Sequence, residues 1–203
     1  MTDDTKPRIY VACLASYNNG VIHGAWFDLD EYGDADELMK AVREKVLLTS
    51  PHPNVEVTCP QCEGSGEPCD RCHATGKVPS AEEWAIHDYE GLEGIGEHSS
   101  FTEVMDKAEA WQEDQDMQDK HGEAWNAYKA VFSTSTTPTE SHFQDLYVGA
   151  YDSEKDFAME QAIDSETVDR DAEYFSWIDW QDAWDSTYRH SYCFEDGHVF
   201  RND

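Results

Sequence analysis

Four of the chain's six cysteines stand as two C-x2-C pairs, Cys59 with Cys62 and Cys69 with Cys72. One such pair grips one edge of a tetrahedral ion and a second pair completes it. The pattern therefore points to a single zinc per chain held by four thiolates. Glycines follow each pair: Gly64 and Gly66 after the first, Gly76 after the second. Glycine there lets the backbone turn tightly around a sulfur. A C-x2-C pair can also be a dithiol catalyst, but two adjacent glycine-bearing pairs favour metal. Four thiolates leave no position for water or substrate, so the zinc is expected to be a structural staple rather than a catalyst. His73 is expected to be a solvated neighbour, not a ligand. Cys13 and Cys193 read as ordinary buried thiols.

No other stretch carries recognisable chemistry. The nine histidines form no H-E-x-x-H, and there is no nucleophile elbow, P-loop or G-x-G-x-x-G. The run from Asp28 through Asp30 to Gly33 begins like a calcium loop, but Tyr32 and Met39 stand where oxygen ligands are needed. With 44 acidic residues some carboxylate pair is inevitable, which gives a proposed acid–base couple little force. The expectation is a protein that is not an enzyme.

The elements around the cysteines read as α+β. RIYVACLASYNNGVIHGAWFDL (8–29) has the alternation of a hairpin, with Asn19-Gly20 as its turn. DADELMKAVREKVLL follows as a helix, Asp34 near its cap and Leu38, Met39, Val42 and Val46 on one face. Ser80-x-x-Glu83 is read as a short turn of helix before a third strand at 84–92. From Ser100 the period is helical, with Phe101, Val104, Met105, Ala108 and Trp111 on one face. A further helix over 122–132 turns Trp125, Tyr128 and Phe132 inward. STSTTPTES (133–141) reads as a linker. A strand over 146–151, a helix opened by Ser153, a helix over 174–189 and a hairpin turning at Asp196-Gly197 complete the pattern. The domains expected are 1–98 (α+β, with the zinc module inserted at about 56–78), 99–141 (helical, with the linker) and 142–203 (α+β).

Charge is the other outstanding property. The net charge is −30, from 44 acids against 14 bases, and residues 82–203 carry 31 of those acids and 7 of the bases. Such an excess fits solubility or a saline habitat, yet it also excludes nucleic acid as a ligand and selects a basic surface as partner. Asp106, Glu109, Glu113 and Asp116 fall on one side of their helix. On a helix over 174–189, Asp179, Asp182 and Asp185 form a ridge opposite Trp177, Trp180, Trp184 and Tyr188. Each stripe has the pattern of a solvated face, but basic i+4 partners are nearly absent. At duplex DNA's density of one charge per about 1.7 Å, thirty charges would cover roughly 50 Å, and a dimer roughly 100 Å. No segment approaches 18 apolar residues, and MTDDTKPRIYV lacks the basic-then-apolar pattern of a signal peptide, so a cytoplasmic protein without a membrane partner is expected.

The cysteine stretch resembles the zinc repeats of DnaJ-type chaperones, with Ala74 where the second repeat would have its first glycine. The rest of the chain resembles ArdA-type antirestriction proteins. That resemblance is carried by RIYVACLASYNNGVIHGAWFDL, EEWAIHDYEG, LYVGAYDSEKDFA and YFSWIDWQDAWDSTYRHSYCFEDGHVFRN. It implies an elongated chain of three small domains that forms a homodimer through the C-terminal one. It further implies a protein of mobile elements that mimics bent B-DNA in the DNA-binding groove of type I restriction–modification enzymes. The acids named above would then face the partner, and the cysteine module would be an insertion into the first domain. Two readings of other classes stand beside it: a small DnaJ-like zinc protein acting as chaperone or thiol oxidoreductase, and an acidic interaction protein without DNA mimicry.

Overall fold

Alternating side chains in β1 (Arg8–Cys13) bury Ile9, Val11 and Cys13 completely, and this strand becomes the centre of a sheet. The computed structural model describes residues 5–134 and 137–202. Contacts divide the chain into two units, residues 1–113 and 114–203. Mixed α+β architecture is present in both.

In the first unit β1 leads into α1 (Leu14–Asn18) and returns as β2 (Gly24–Asp28), pairing Ile9 with Phe27 and Val11 with Ala25. The expected antiparallel pair is present, but its connection is longer than a two-residue turn. The Cys13 thiol accepts from Ser16 N–H and opens a helical turn, so Leu14 leaves the strand. α2 (Ala35–Val42) is capped by the Asp34 carboxylate, which accepts from Glu37 N–H at 2.8 Å, and it runs on into a π turn over Arg43–Leu47. Leu38, Val42 and Val46 are fully buried as the periodicity predicts. β3 (Val55–Thr58) and β4 (Lys77–Ser80) form a separate two-stranded hairpin that brackets the cysteines. Ser80 is thus the end of a strand, which corrects the helical turn expected from Ser80 to Glu83. Hydroxyl donation from Ser80 to the Ala81 carbonyl uses the side chain that a capping box would need. β5 (Trp84–Glu90) is the third strand, giving the order β2-β1-β5.

α3 (Phe101–His121) crosses the division between the units. Its first half adds Phe101, Val104, Met105 and Ala108 to the first core, with Phe101 stacked on Trp84 at 4.0 Å. Gly122, at φ +59, precedes α4 (Glu123–Phe132). Thr139 caps α5 (Glu140–Leu146), which shortens the linker expected over 133–141; its Ser135 and Thr136 lie outside the described residues. β6 (Tyr147–Ala150), then α6 (Glu154–Asp164) capped by Ser153, follow as read.

The single helix expected over 174–189 is not formed. A 3-10 turn (Glu173–Trp177) ends at Ile178, and α7 (Trp180–Ala183) starts afresh and passes into a π turn over Trp184–Tyr188. The reason is Asp179: extended in its backbone, it accepts from both Gln181 and Asp182 N–H, a short polar side chain competing with helix continuity. β7 (Tyr192–Glu195) and β8 (His198–Arg201) close the chain with the hairpin at Asp196-Gly197, both at positive φ. In the order β6-β8-β7, the central strand sends Phe200 to α4 and α5 and Val199 to α6 and Trp184. Among the described residues no helix is long and apolar enough to cross a membrane.

Gly91 closes β5 where the chain passes against the residues leading into β1. It sits at φ +68, and a Cβ there would lie 2.1 Å from the Thr5 carbonyl oxygen. Gly91→Ala is therefore expected to destabilise the protein by more than about 1 kcal/mol. Urea unfolding measures it, and an unchanged midpoint would remove that close approach from the account.

Candidate metal centre and acidic faces

The hairpin of β3 and β4 brings both ends of the cysteine stretch together, and hydrogen bonds within it bend each C-x2-C pair into a knuckle. Cys59 N–H donates to the Gly76 carbonyl, Ser65 N–H to Cys62 and His73 N–H to Cys69. The two knuckles repeat one backbone pattern. Glu63 and His73, just past the second cysteine of each pair, both have φ +49; Gly64 and Ala74 follow at +79 and +64, then Gly66 and Gly76 at +71. Ala74 thus adopts the left-handed conformation glycine takes in the first knuckle, at a cost of about 1 kcal/mol to a residue with a side chain. Gly76 is required for closeness as well, since a Cβ there would lie 3.0 Å from the Gly64 carbonyl oxygen.

All four Sγ atoms lie within 4.8 Å of one another. Across the knuckles, Cys59 and Cys69 are 3.8 Å apart and Cys62 and Cys72 are 3.6 Å apart. A tetrahedral ion with metal–sulfur bonds near 2.3 Å sets its sulfurs about 3.8 Å apart, so this donor set fits such an ion. Three of the thiols are buried and Cys62 is half-buried, packed with Val57, Val78 and Leu48. The thiols differ in acidity. Burial opposes ionisation of Cys62, but the Gly64 N–H and the neighbouring sulfurs outweigh it and draw the thiol down to about 7. Burial and those same neighbours push Cys72 up to about 11. His73 is exposed and stands outside the cluster. Cys13 is buried as read, with its sulfur 3.3 Å from the Ser50 hydroxyl, while Cys193 is half-buried against the Phe200 core.

The acids predicted on α3 are at the surface. Asp106, Glu109, Glu113 and Asp116 are all exposed. Among the described residues no base pairs with Asp106, Glu109 or Glu113. The bases on the same helix are engaged elsewhere: Lys107 donates to the Glu93 carbonyl at 3.0 Å, and Lys120 pairs with Glu140. That pairing holds the Glu140 carboxyl below its usual range. Asp114, which the pattern reading passed over, faces the other way. It accepts from Trp125 Nε1 at 2.8 Å and pairs with Lys129 at 2.7 Å, tying α3 to α4. Trp125 and Lys129 are four residues apart on one helix face, a signal legible only once their common partner is known.

The C-terminal acids are all exposed but do not share one uninterrupted α-helix. Asp179 is a cap, Asp182 is exposed in the first turn of α7, and Asp185 lies in the π turn, 3.5 Å from Arg189. The aromatic residues divide too. Trp184 is 3% exposed, Trp180 and Tyr188 are half-buried, and Trp177 is 80% exposed. The break at Asp179 separates Trp177 from the face it would share.

Comparison with known proteins gives one finding: the sequence model of a family described as antirestriction protein (ArdA) matches residues 9–200. No curated protein matches the chain.

The cap and the exposed acid are separable in stability. Asp179→Ala removes the acceptor of two backbone N–H groups and is expected to cost about 1 kcal/mol, whereas Asp182→Ala is expected to stay within about 0.5 kcal/mol of wild type. Equal losses in denaturant titration would count against the cap assignment.

Proposed function

We propose that this chain, which belongs to the ArdA antirestriction protein family, presents its carboxylates in place of DNA phosphates and occupies the DNA-binding groove of a type I restriction–modification enzyme. The observation that supports this reading most is the state of α3. Among the described residues no base pairs with Asp106, Glu109 or Glu113, which are exposed, while Lys107 and Lys120 are held by other groups. A face evolved only for solubility has no reason to keep its own bases off it. Inhibition of this kind needs no catalytic residue. It proceeds by occupancy: the negative field steers the protein to a basic groove, and each carboxylate displaces a phosphate contact. Nucleic acid itself is repelled by a net charge of −30.

Within the same reading, Cys59, Cys62, Cys69 and Cys72 hold one structural zinc. The ion would supply cross-linking of two knuckles and nothing chemical. The chain's own contribution is the bracket of β3 and β4 and the backbone bends that aim four sulfurs at one point. Four-residue strands with so few apolar neighbours need such a staple.

The test is cleavage of DNA by a type I restriction enzyme with the protein as competitor. Wild type is expected to inhibit, and less so as salt rises. Asp106→Asn, Glu109→Gln, Glu113→Gln and Asp116→Asn keep side-chain shape. Each alone is expected to cost roughly 0–1 kcal/mol of inhibitory binding, and the four together clearly more. Full inhibition by the quadruple variant, or inhibition lost only with the cysteines, would move the function off the acidic surface.

For the metal, elemental analysis of protein purified without added metal is expected to give one zinc per chain. Chelation is expected to release it and expose the amides of 55–80 to hydrogen exchange while β1, β2 and β5 stay protected. Absence of zinc, or a Cys59–Cys62 disulfide in protein from a reducing cytosol, would refute the assignment.

A further inference from the structure

The first unit is hollow between the loop that follows β2 and the first half of α3, with a cavity of about 650 Å³. Its lining is of two kinds. Leu29, Tyr32, Met105 and Trp111 give it apolar and aromatic walls, and Asp30, Asp34, Asp106 and Glu109 give it carboxylates. Trp111 is the informative residue. Helical spacing places it on the core face with Val104 and Ala108, yet it stays half-buried on the cavity wall and is not among the side chains packed on that core. An indole left beside Asp106 and Glu109, with which no base pairs among the described residues, is an unusual arrangement for a solvated surface. It is the arrangement that receives a cation with an apolar stem.

We propose that this groove seats an arginine side chain carried on a basic segment of the enzyme the protein inhibits. The proposal rests on the antirestriction reading and deepens it by naming a contact that DNA itself cannot make. A guanidinium is planar and weakly hydrated, so it stacks on Trp111 or Tyr32 while its N–H groups donate to Asp106 and Glu109, and its methylenes lie on Met105. An ammonium has no face to stack and holds its water more tightly. The chain already shows a cation at this rim: Lys6, which also lines the cavity, sets its Nζ 2.9 Å from Asp30. Charge selects this occupant over others. A second copy of the chain brings another −30, nucleic acid brings phosphates, and a neutral small molecule leaves Asp106 and Glu109 without use.

The experiment uses the full-length, zinc-loaded protein and two peptides of equal length and charge, one with three arginines and the other with three lysines. Binding is followed by calorimetry and by the indole N–H signals, with Trp111→Phe supplying the assignment. The arginine peptide is expected to bind roughly threefold or more tightly than the lysine peptide and to move the Trp111 signal. Trp111→Leu is expected to abolish that preference by weakening the arginine peptide more than the lysine peptide. Lys6→Ser is expected to strengthen both peptides by opening the rim. Equal affinity of the two peptides for wild type, or a preference that survives Trp111→Leu, overturns the proposal.

Should Trp111→Leu lose its near-UV dichroism, Thr102→Arg supplies the second test. Thr102 is exposed on the groove's edge, and an arginine there is expected to occupy the groove from within and weaken the arginine peptide more than Thr102→Lys does. Equal weakening by the two variants also overturns the proposal. The DNA-cleavage assay separates the two levels. A wild type that prefers arginine but does not protect DNA removes the antirestriction reading and leaves the groove. A wild type that protects DNA without preferring arginine removes the groove alone.

Discussion

Self-repulsion is the constraint under which every other part of this structure is built. Thirty uncompensated charges oppose any compact state, so apolar burial has to hold the chain with little help from surface ion pairs. The cores show how. In the second unit Trp125, Tyr128, Phe132, Phe143 and Phe200 form a nearly continuous set of ring contacts at centroid distances of 5.1–6.2 Å. Phe157, Trp184 and Val199 fill the opposite face of the same sheet. Three of the bases sit at seams: Lys129 joins α4 to α3, Lys120 joins α3 to α5, and Arg8 joins β1 to Glu90 at the end of β5. Placing bases at seams stabilises the fold where elements meet and, among the described residues, leaves Asp106, Glu109 and Glu113 without a base.

Wherever local chemistry decided the matter, the structure could be read in advance. Asp34, Ser153 and Asp196-Gly197 act through their own backbone neighbours, and each cap or turn lies where the residues put it. The two C-x2-C pairs were legible for the same reason: four donors that must meet at one point leave little freedom to the chain between them. Legibility failed where two local rules competed. Residues 174–189 have helical spacing of aromatic residues, but Asp179 in their middle is a better cap than interior residue, and the cap won. Asn19-Gly20 was a sound turn signal, yet the Cys13 thiol had already opened a helical turn upstream. Trp111 could not be placed by periodicity, because a helix face says which side is apolar and not whether anything covers it.

The cysteine module answers the same constraint differently. Its stretch is close to neutral, so it lacks the repulsion felt elsewhere, but it also lacks a core: Val57, Val78 and Leu48 are nearly all the apolar packing it has. The positive φ of Ala74 shows that closure of the second knuckle is maintained against backbone preference. Hydrogen bonds such as Cys59 to Gly76 and the converging sulfurs over-determine that conformation. Leu48, at the end of the turn that follows α2, packs against the module.

The spacing of carboxylates on α3 shows what one helix can and cannot imitate. From Asp106 to Asp116 the helix rises about 15 Å, so its four acids fall about 5 Å apart. One strand of duplex DNA offers a phosphate per about 3.4 Å and the duplex one per about 1.7 Å. A single face is thus closer to one strand than to two, and it is sparser even than that. Imitation of a duplex needs a second row at a groove's distance. Asp30 and Asp34 supply carboxylates to the same cavity as Asp106 and Glu109, from a different element. Two acidic rows then flank an apolar hollow, where DNA would present base edges and water. In the function proposed above, a basic side chain entering between them would gain what a phosphate row offers and an aromatic surface besides, so fewer charges per unit length would suffice to compete.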